Sequence, residues 1–314
     1  AWAEPLLIPV GQTVGLQLRD NTVTIAAFDD LLGADAKNAG LKIGDCIVKV
    51  NGTPVHSAQQ MRDALEASGR TALLTIRRGG KELEATVKVT PTDGGAKLGV
   101  YLKQGISGIG TVTYFDENAR TFSGLGHPIC DVDTGEIMTL STGEGVDAVI
   151  TGVTPGKSGA PGELKGQFVT GRPFARLTAN STCGICGRLS PDFTPQGMRM
   201  AVAFRHEVQP GPAKILTTIA GSTPKEYDVV IEKVLRGSGH AGQNMVIRVT
   251  DQTLLQKTGG IVQGMSGSPL VQNGMLAGVV THVFVDEPNR GYAVFAETVR
   301  TAEKAATAAR DAAA

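Results

Sequence analysis

Residues 36–52, AKNAGLKIGDCIVKVNG, crowd several turn signals into one short stretch. A short helix is stopped by Gly40, a Gly44-Asp45 turn follows, Cys46 to Val50 read as a strand, and Asn51-Gly52 is a dipeptide suited to a tight hairpin. Downstream, Ser57 offers an N-cap with Gln60 at the third helical position, and Met61, Ala64 and Leu65 recur at helical spacing before Gly69. Leu74 and Ile76, then Leu83, Ala85, Val87 and Val89, alternate with polar neighbours on either side of Gly79-Gly80. That pattern predicts a hairpin with one buried face, closing a small sheet.

This segment resembles a PDZ domain of the bacterial protease type over residues 6–98, which leaves residues 1–5 as an N-terminal remnant. The resemblance implies a carboxylate-binding loop and a peptide-accepting edge strand at Val14-Gly15-Leu16-Gln17-Leu18. An extended ligand adds a strand to such an edge and places alternate side chains in apolar pockets, here expected from Leu16, Leu18, Met61 and Leu65. A peptide ligand is the implied partner.

The chain has 314 residues, which suggests more than one domain. Lys+Arg 30 balance Asp+Glu 30, and no basic block is present, so a nucleic-acid partner is not expected. Gly 41 and aromatics at 4% fit strands separated by many corners. No stretch approaches the roughly 20 apolar residues of a membrane span. The opening Ala1-Trp2-Ala3-Glu4 resembles the small-residue end of a signal or anchor, giving the expectation of export with membrane association through an upstream segment.

Beyond Leu98, short β-like runs such as residues 110–114 and 146–150 alternate with Gly, Pro, Asp and Asn turns. A β-barrel domain is expected over 99–295, and the alanine-rich stretch 296–314 reads as a peripheral helix or a frayed tail. The fold class expected is therefore mainly β with minor α, an N-terminal PDZ domain followed by a trypsin-like β-barrel peptidase domain. Two loops carry the chemistry: residues 123–128, SGLGHP, and residues 258–269, TGGIVQGMSGSP. A serine hydroxyl attacks a carbonyl only when a base takes its proton, and the oxyanion needs N–H donors converging from an unobstructed turn. Gly264 and Gly267 flank Ser266, so the amides of Gly264 and Ser266 can form that oxyanion hole. The base comes from His56, His127, His206, His240 or His282; His127 sits in a glycine-lined loop ahead of Ser266, the trypsin-like order. Asp147 is an acid that the residues themselves allow.

Residues 125–129 (LGHPI), 249–251 (VTD) and 258–269, together with the PDZ segment, closely resemble the stage IV sporulation protein B peptidases. The resemblance implies an extracytoplasmic serine endopeptidase with a triad of His127, Asp251 and Ser266. It further implies self-cleavage and cleavage of a membrane-bound regulator in the space between mother-cell and forespore membranes, activating an intramembrane protease that matures a sigma factor. The precursor is expected to be secreted or membrane-tethered. Asp251 lies 15 residues before Ser266, much later than in ordinary trypsin-like enzymes, and it rests on the resemblance. The chemistry requires no cofactor and no metal. The rival reading is a non-catalytic PDZ scaffold.

Cys183 and Cys186 have the spacing of a redox or zinc pair but neither the strand-to-helix context nor two further ligands, so a structural loop is expected. Residues 156–158 lack the first glycine of a phosphate loop, where Thr151 stands. In Ser222–Lys225, Pro224 interrupts the helix that a serine-lysine dyad needs.

Overall fold

In a computed structural model of the chain, the described residues are 6–19, 22–103, 105–131, 135–138, 140–169, 171–237 and 243–312. The expected remnant 1–5 and His240 lie outside them. The chain divides into two compact units, Arg19–Gly105 and a second unit built from the residues up to Leu18 together with Ile106 onward.

In the Arg19–Gly105 unit, an antiparallel sheet runs in the order Val100–Leu102, Val23–Phe28, Cys46–Val50, Thr71–Arg78, Lys81–Lys88. Helix α1 (Ala34–Asn38) precedes Gly40, whose φ of 85° suits a residue without Cβ. Helix α2 (Ala58–Glu66) begins where the Ser57 hydroxyl accepts the Gln60 N–H at 3.1 Å, as the capping pattern predicts. Ile25, Ile47, Leu65, Leu74 and Ile76 form the core. The buried Asp45 carboxylate receives the Arg78 guanidinium at 2.6 Å, which satisfies a charge that burial alone would penalise.

The second unit contains two rings of strands. In the first, Thr13–Arg19 pairs with Ile106–Asp116, which continues through Thr121–Gly124, Gly184–Leu189 and Ala175–Ser181 to Thr142–Thr154, and this last strand pairs back to Thr13–Arg19. The other is a closed barrel of Gly211–Thr217, Lys225–Val234, Met245–Val249, Arg290–Phe295, Met275–Val283 and Pro269–Gln272. Helix α3 (Gln252–Thr258) lies between two of its strands, and helix α4 (Ala296–Asp311) follows its last one. The chain is thus mainly β.

Two expectations change here. Strand Thr13–Arg19 is not a PDZ edge: Val14 pairs with Gly110, Leu16 with Gly108 and Leu18 with Ile106, and all three side chains are buried in the core of the first barrel. A strand buried on one face of a barrel and the edge strand of a groove share the same alternation, so the sequence text does not separate them. The boundaries at 6 and 98 accordingly move to Arg19 and Gly105, and the peptidase unit begins upstream of the PDZ unit rather than after it. Of the two readings of the alanine-rich stretch, the helix is the one that forms, over Ala296–Asp311; Ala296 and Val299 join a buried cluster and the Tyr114 hydroxyl donates to Glu303 at 2.9 Å.

Candidate active site and peptide groove

The serine loop follows α3 and enters strand Pro269–Gln272. Ser266 is flanked by Gly264 and Gly267, with φ of 97° and 98°. A Cβ on Gly267 would stand 2.2 Å from the Thr111 carbonyl oxygen, so only glycine permits this approach of the loop to the first barrel. Side chains of that barrel then fix the turn: the Thr111 hydroxyl donates to the Gly264 carbonyl and the Thr113 hydroxyl to the Gly267 carbonyl, each at 2.7 Å. Ser268 is buried and donates to the Met265 carbonyl at 2.6 Å, a structural role within the turn. Among the described residues, neither the Gly264 nor the Ser266 N–H is spent on a backbone carbonyl. Such uncommitted donors beside a serine are what a developing oxyanion requires.

The histidine loop leaves strand Thr121–Gly124 through two consecutive left-handed residues, Leu125 at φ 68° and Gly126 at φ 70°. A leucine in that region is strained, and strain of this kind collects at functional sites. His127 follows, with Nδ1 2.9 Å from the Pro128 carbonyl oxygen. That acceptor selects the tautomer with hydrogen on Nδ1 and leaves Nε2 free to act as a base. Burial lowers the pKa of His127, with the Pro128 carbonyl opposing the shift.

His127 and Ser266 line one cavity of about 510 Å³. Its walls are largely apolar, with Leu16, Leu18, Ile109, Ile261, Val262 and Val283, and among the described residues no charged side chain lines it. The Ser266 hydroxyl donates to the Thr281 carbonyl at 2.8 Å, so its proton is committed to backbone in this conformation. A side-chain rotation is required before that proton can pass to His127; such realignment is common between a free and a substrate-bound active site.

Asp251 does not join them. Its carboxylate caps α3, accepting the Leu254 N–H at 2.9 Å; it does not line the cavity, and among the described residues no hydrogen bond links it to His127. The acid implied by the family resemblance is thus a helix cap here. Asp147 fares no better: it is exposed on strand Thr142–Thr154 and its hydrogen-bond partner is Gln12, at 3.5 Å. The ring that does approach His127 is His282, with centroids 5.1 Å apart and a tilt of 35°. Its pKa is lowered by burial first and by the neighbouring His127 second. Sequence reading named His282 among the histidines but had no means to pair it, since the contact joins residues from two barrels.

The PDZ unit carries its own groove, of about 380 Å³, between α2 and strand Val100–Leu102. Met61 and Leu65 line it as expected, whereas Val14, Gly15, Leu16 and Leu18 do not. The opposite wall is Leu98, Gly99 and Val100. Gly99 has φ 69°, and a Cβ there would lie 2.2 Å from the Leu32 carbonyl oxygen. Strand Val100–Leu102 pairs with Val23–Phe28 on one side and ends the sheet on the other, so its outer edge is open to an added strand. The signal that could have found this wall is the text Leu98-Gly99-Val100-Tyr101-Leu102, a glycine followed by alternating residues just as at Gly15. Cys183 lies at the turn between strands Ala175–Ser181 and Gly184–Leu189, Cys186 lies within the second of them beside the Thr178 hydroxyl, and the two form no disulfide.

Paired β-barrels with a glycine-bound serine and a loop histidine on a shared cavity, and a PDZ fold that follows the strand Thr13–Arg19 of the first barrel in sequence, define a serine peptidase of trypsin-like architecture. Family models agree with that class. The model described as SpoIVB peptidase S55 matches residues 94–299, and a PDZ domain model matches residues 34–78. The chain belongs to the SpoIVB peptidase S55 family. Among curated proteins, Serine protease HTRA1 of Xenopus tropicalis is 40% identical over 74 residues, covering 24% of this chain and 16% of that protein. The chain therefore spans about a sixth of that relative's length. Among solved structures, the PDZ domain of an SdrC-like protein from Listeria monocytogenes is 24% identical and covers 26% of this chain and 87% of that one, with a TM-score of 0.23. The Rv3671c protease of M. tuberculosis in its active form is 16% identical and covers 63% and 73%, with a TM-score of 0.39.

Proposed function

We propose that the chain is a regulatory endopeptidase in which His127 is the general base and Ser266 the nucleophile, while the groove beside α2 holds a peptide segment of a substrate or partner. The observation that carries this reading is the shared cavity: a loop histidine whose Nδ1 faces the Pro128 carbonyl, a serine hydroxyl, and, among the described residues, two N–H groups at Gly264 and Ser266 with no backbone acceptor. In the reaction, Ser266 Oγ bonds to the scissile carbonyl carbon as its proton passes to His127 Nε2, the oxyanion is held by the two amides, and the proton then goes to the leaving amine. The apolar walls favour a substrate segment with aliphatic side chains at this position. Family membership supports limited proteolysis of the chain itself and of a membrane-bound regulator, outside the cytoplasm, during sporulation. The commitment of the Ser266 hydroxyl to Thr281 supports a resting form that substrate must realign.

The test is covalent labelling of the purified chain by a fluorophosphonate, with Ser266→Ala and Ser268→Ala as companions. Wild type and Ser268→Ala are expected to label and Ser266→Ala to lose labelling together with self-cleavage. A wild-type chain that is folded yet unlabelled would instead favour the non-catalytic scaffold.

A further inference from the structure

We propose that His127 and His282 form a zinc-binding site in the catalytic cavity, and that zinc held there shuts the peptidase off; the shut-off rests on the reading of His127 as the general base. The two imidazoles come from different barrels. His127 follows strand Thr121–Gly124 of the first, and His282 lies near the end of strand Met275–Val283 of the second. Both line the cavity that holds Ser266.

Their ring centroids are 5.1 Å apart, with the planes tilted by 35°. One tetrahedral zinc sets nearly the same spacing. With Zn–N bonds of about 2.0–2.1 Å and ligand angles of about 109°, two imidazoles on the same ion have centroids about 5 Å apart. Rings that merely pack together also adopt such distances, so the state of their nitrogens decides between the two.

His127 has the nitrogen arrangement of a metal ligand. Its Nδ1 faces the Pro128 carbonyl oxygen at 2.9 Å. Ligating histidines hold their second nitrogen on an acceptor of this kind, which fixes the ring and turns the other lone pair to the metal. Among the described residues, no hydrogen bond takes up either ring nitrogen of His282. Two imidazole lone pairs therefore stand available on one cavity, and imidazole suits zinc, whereas calcium and magnesium take oxygen ligands.

Among the described residues, no third histidine, cysteine or carboxylate completes the set. Water then fills the remaining positions, together with the Ser266 oxygen, which rests on the carbonyl of Thr281, the residue before His282. Two protein ligands hold zinc reversibly, as suits a regulator rather than a resident cofactor. The bound ion takes the Nε2 lone pair that would accept the serine proton, so the hydroxyl stays unactivated.

The experiment adds zinc chloride to the full chain at about pH 7.5, where an ordinary imidazole is mostly neutral. It reads zinc bound per chain by calorimetry and the rate of fluorophosphonate labelling at Ser266, for wild type, His282→Gln, Cys130→Ser and His56→Gln. Saturating zinc is expected to slow wild-type labelling at least about tenfold, with recovery on adding EDTA. His282→Gln should bind one zinc fewer and need at least about tenfold more zinc for the same slowing, each rate being taken relative to that variant without zinc. Cys130→Ser changes another soft donor on the cavity and His56→Gln a histidine of the PDZ unit; both should respond as wild type does. Magnesium and calcium should have no effect. The proposal is overturned if saturating zinc leaves wild-type labelling unchanged, if His282→Gln is slowed at the same zinc concentrations as wild type, or if Cys130→Ser alone escapes. A folded wild-type chain that does not label at all sinks the reading of His127 as base, and calorimetry then judges the site by itself. Loss of one zinc equivalent in His282→Gln upholds the site, and equal binding by the two chains overturns it.

Discussion

The PDZ unit folds from one uninterrupted stretch, Arg19–Gly105, whereas the catalytic unit is assembled from the residues up to Leu18 and those from Ile106 onward. In the first, neighbours in sequence are mostly neighbours in the sheet, joined by tight turns such as Asn51-Gly52 and Gly79-Gly80, all at positive φ. In the second, the opening strand finds its partner only after the whole PDZ unit has intervened, with Thr13 opposite Thr111 and Leu18 opposite Ile106. Local signals therefore specify one unit, and the other depends on pairings between distant residues. The catalytic cavity shows the same dependence, since Leu16 and Ser266 share it from almost opposite ends of the chain.

The sharpest way to break this comparison is by deletion. Leu18 and Ile106 are the final rung of an antiparallel ladder, so joining them with an Asn-Gly turn makes an ordinary hairpin. Removing residues 19–105 in this way is expected to leave a folded chain that still labels at Ser266. Removing the residues up to Leu18 instead, while keeping the PDZ unit whole, opens the first barrel and strips buried Val14, Leu16 and Leu18 from its core. Cooperative unfolding and labelling should both be lost. If the second chain labels and the first does not, the boundaries at Leu18 and Ile106 are misplaced.

The next effect is a double dissociation between two leucines that the sequence pattern assigns to one groove. Leu65→Ala is expected to weaken binding of a peptide to the PDZ groove by about tenfold and to leave Ser266 labelling unchanged. Leu16→Ala should leave groove binding intact, slow labelling, and destabilise the catalytic unit by about 2–5 kcal/mol, the usual range for a truncated core leucine. Fluorescence anisotropy with a peptide and probe labelling on the same preparations separate the two. A Leu16→Ala variant that loses peptide binding and labels normally would return Leu16 to the groove.

What was legible in advance follows the same division. Ser57 capping α2, the Asn51-Gly52 turn and the 71–88 hairpin are interactions over a few residues, and each can be read from local text. Ser266 and His127 were legible because each sits in its own glycine-bearing loop. The strand 13–19 was not, because alternation reports one buried face without saying what covers it. Nor was the hold of Asn180 on Ile129 and Met138: three hydrogen bonds to residues 51 and 42 positions away leave no periodic trace. Gly99 was available in the text but was overshadowed by the similar glycine at residue 15.

Burial of His127 makes a smaller, signed prediction. A lowered pKa means that the imidazole stays neutral, and so able to accept a proton, down to a pH below the ordinary value of about 6.5. The acid limb of kcat/KM, or of the labelling rate, is expected below that value, since it reports ionisation in the free enzyme. The neighbouring His282, shifted the same way, should also be neutral over the working range. A limb at or above 6.5 would mean that a carboxylate supports His127 in the reacting enzyme, in contrast to the geometry here.

The smallest expected effect concerns Asp251, and it separates a cap from a triad acid. Its carboxylate accepts the Leu254 N–H at the start of α3, and α3 ends at Gly259, whose φ of 71° turns the chain into the loop that carries Ser266. A cap needs an oxygen acceptor, not a negative charge, and asparagine caps about as well as aspartate. Asp251→Asn is therefore expected to change the labelling rate by no more than about twofold and to leave stability nearly unchanged. Asp251→Ala removes the acceptor and should cost about 1 kcal/mol, seen as a melting temperature lower by roughly 2–4 °C for a unit of this size. A triad acid behaves differently, because replacing it with the amide leaves the fold intact yet lowers turnover by about 10⁴. Thermal melts and labelling rates for the two variants decide between them. If Asp251→Asn melts like wild type and labels orders of magnitude more slowly, the carboxylate must reach His127 during the reaction, and α3 would have to release its cap to let it do so.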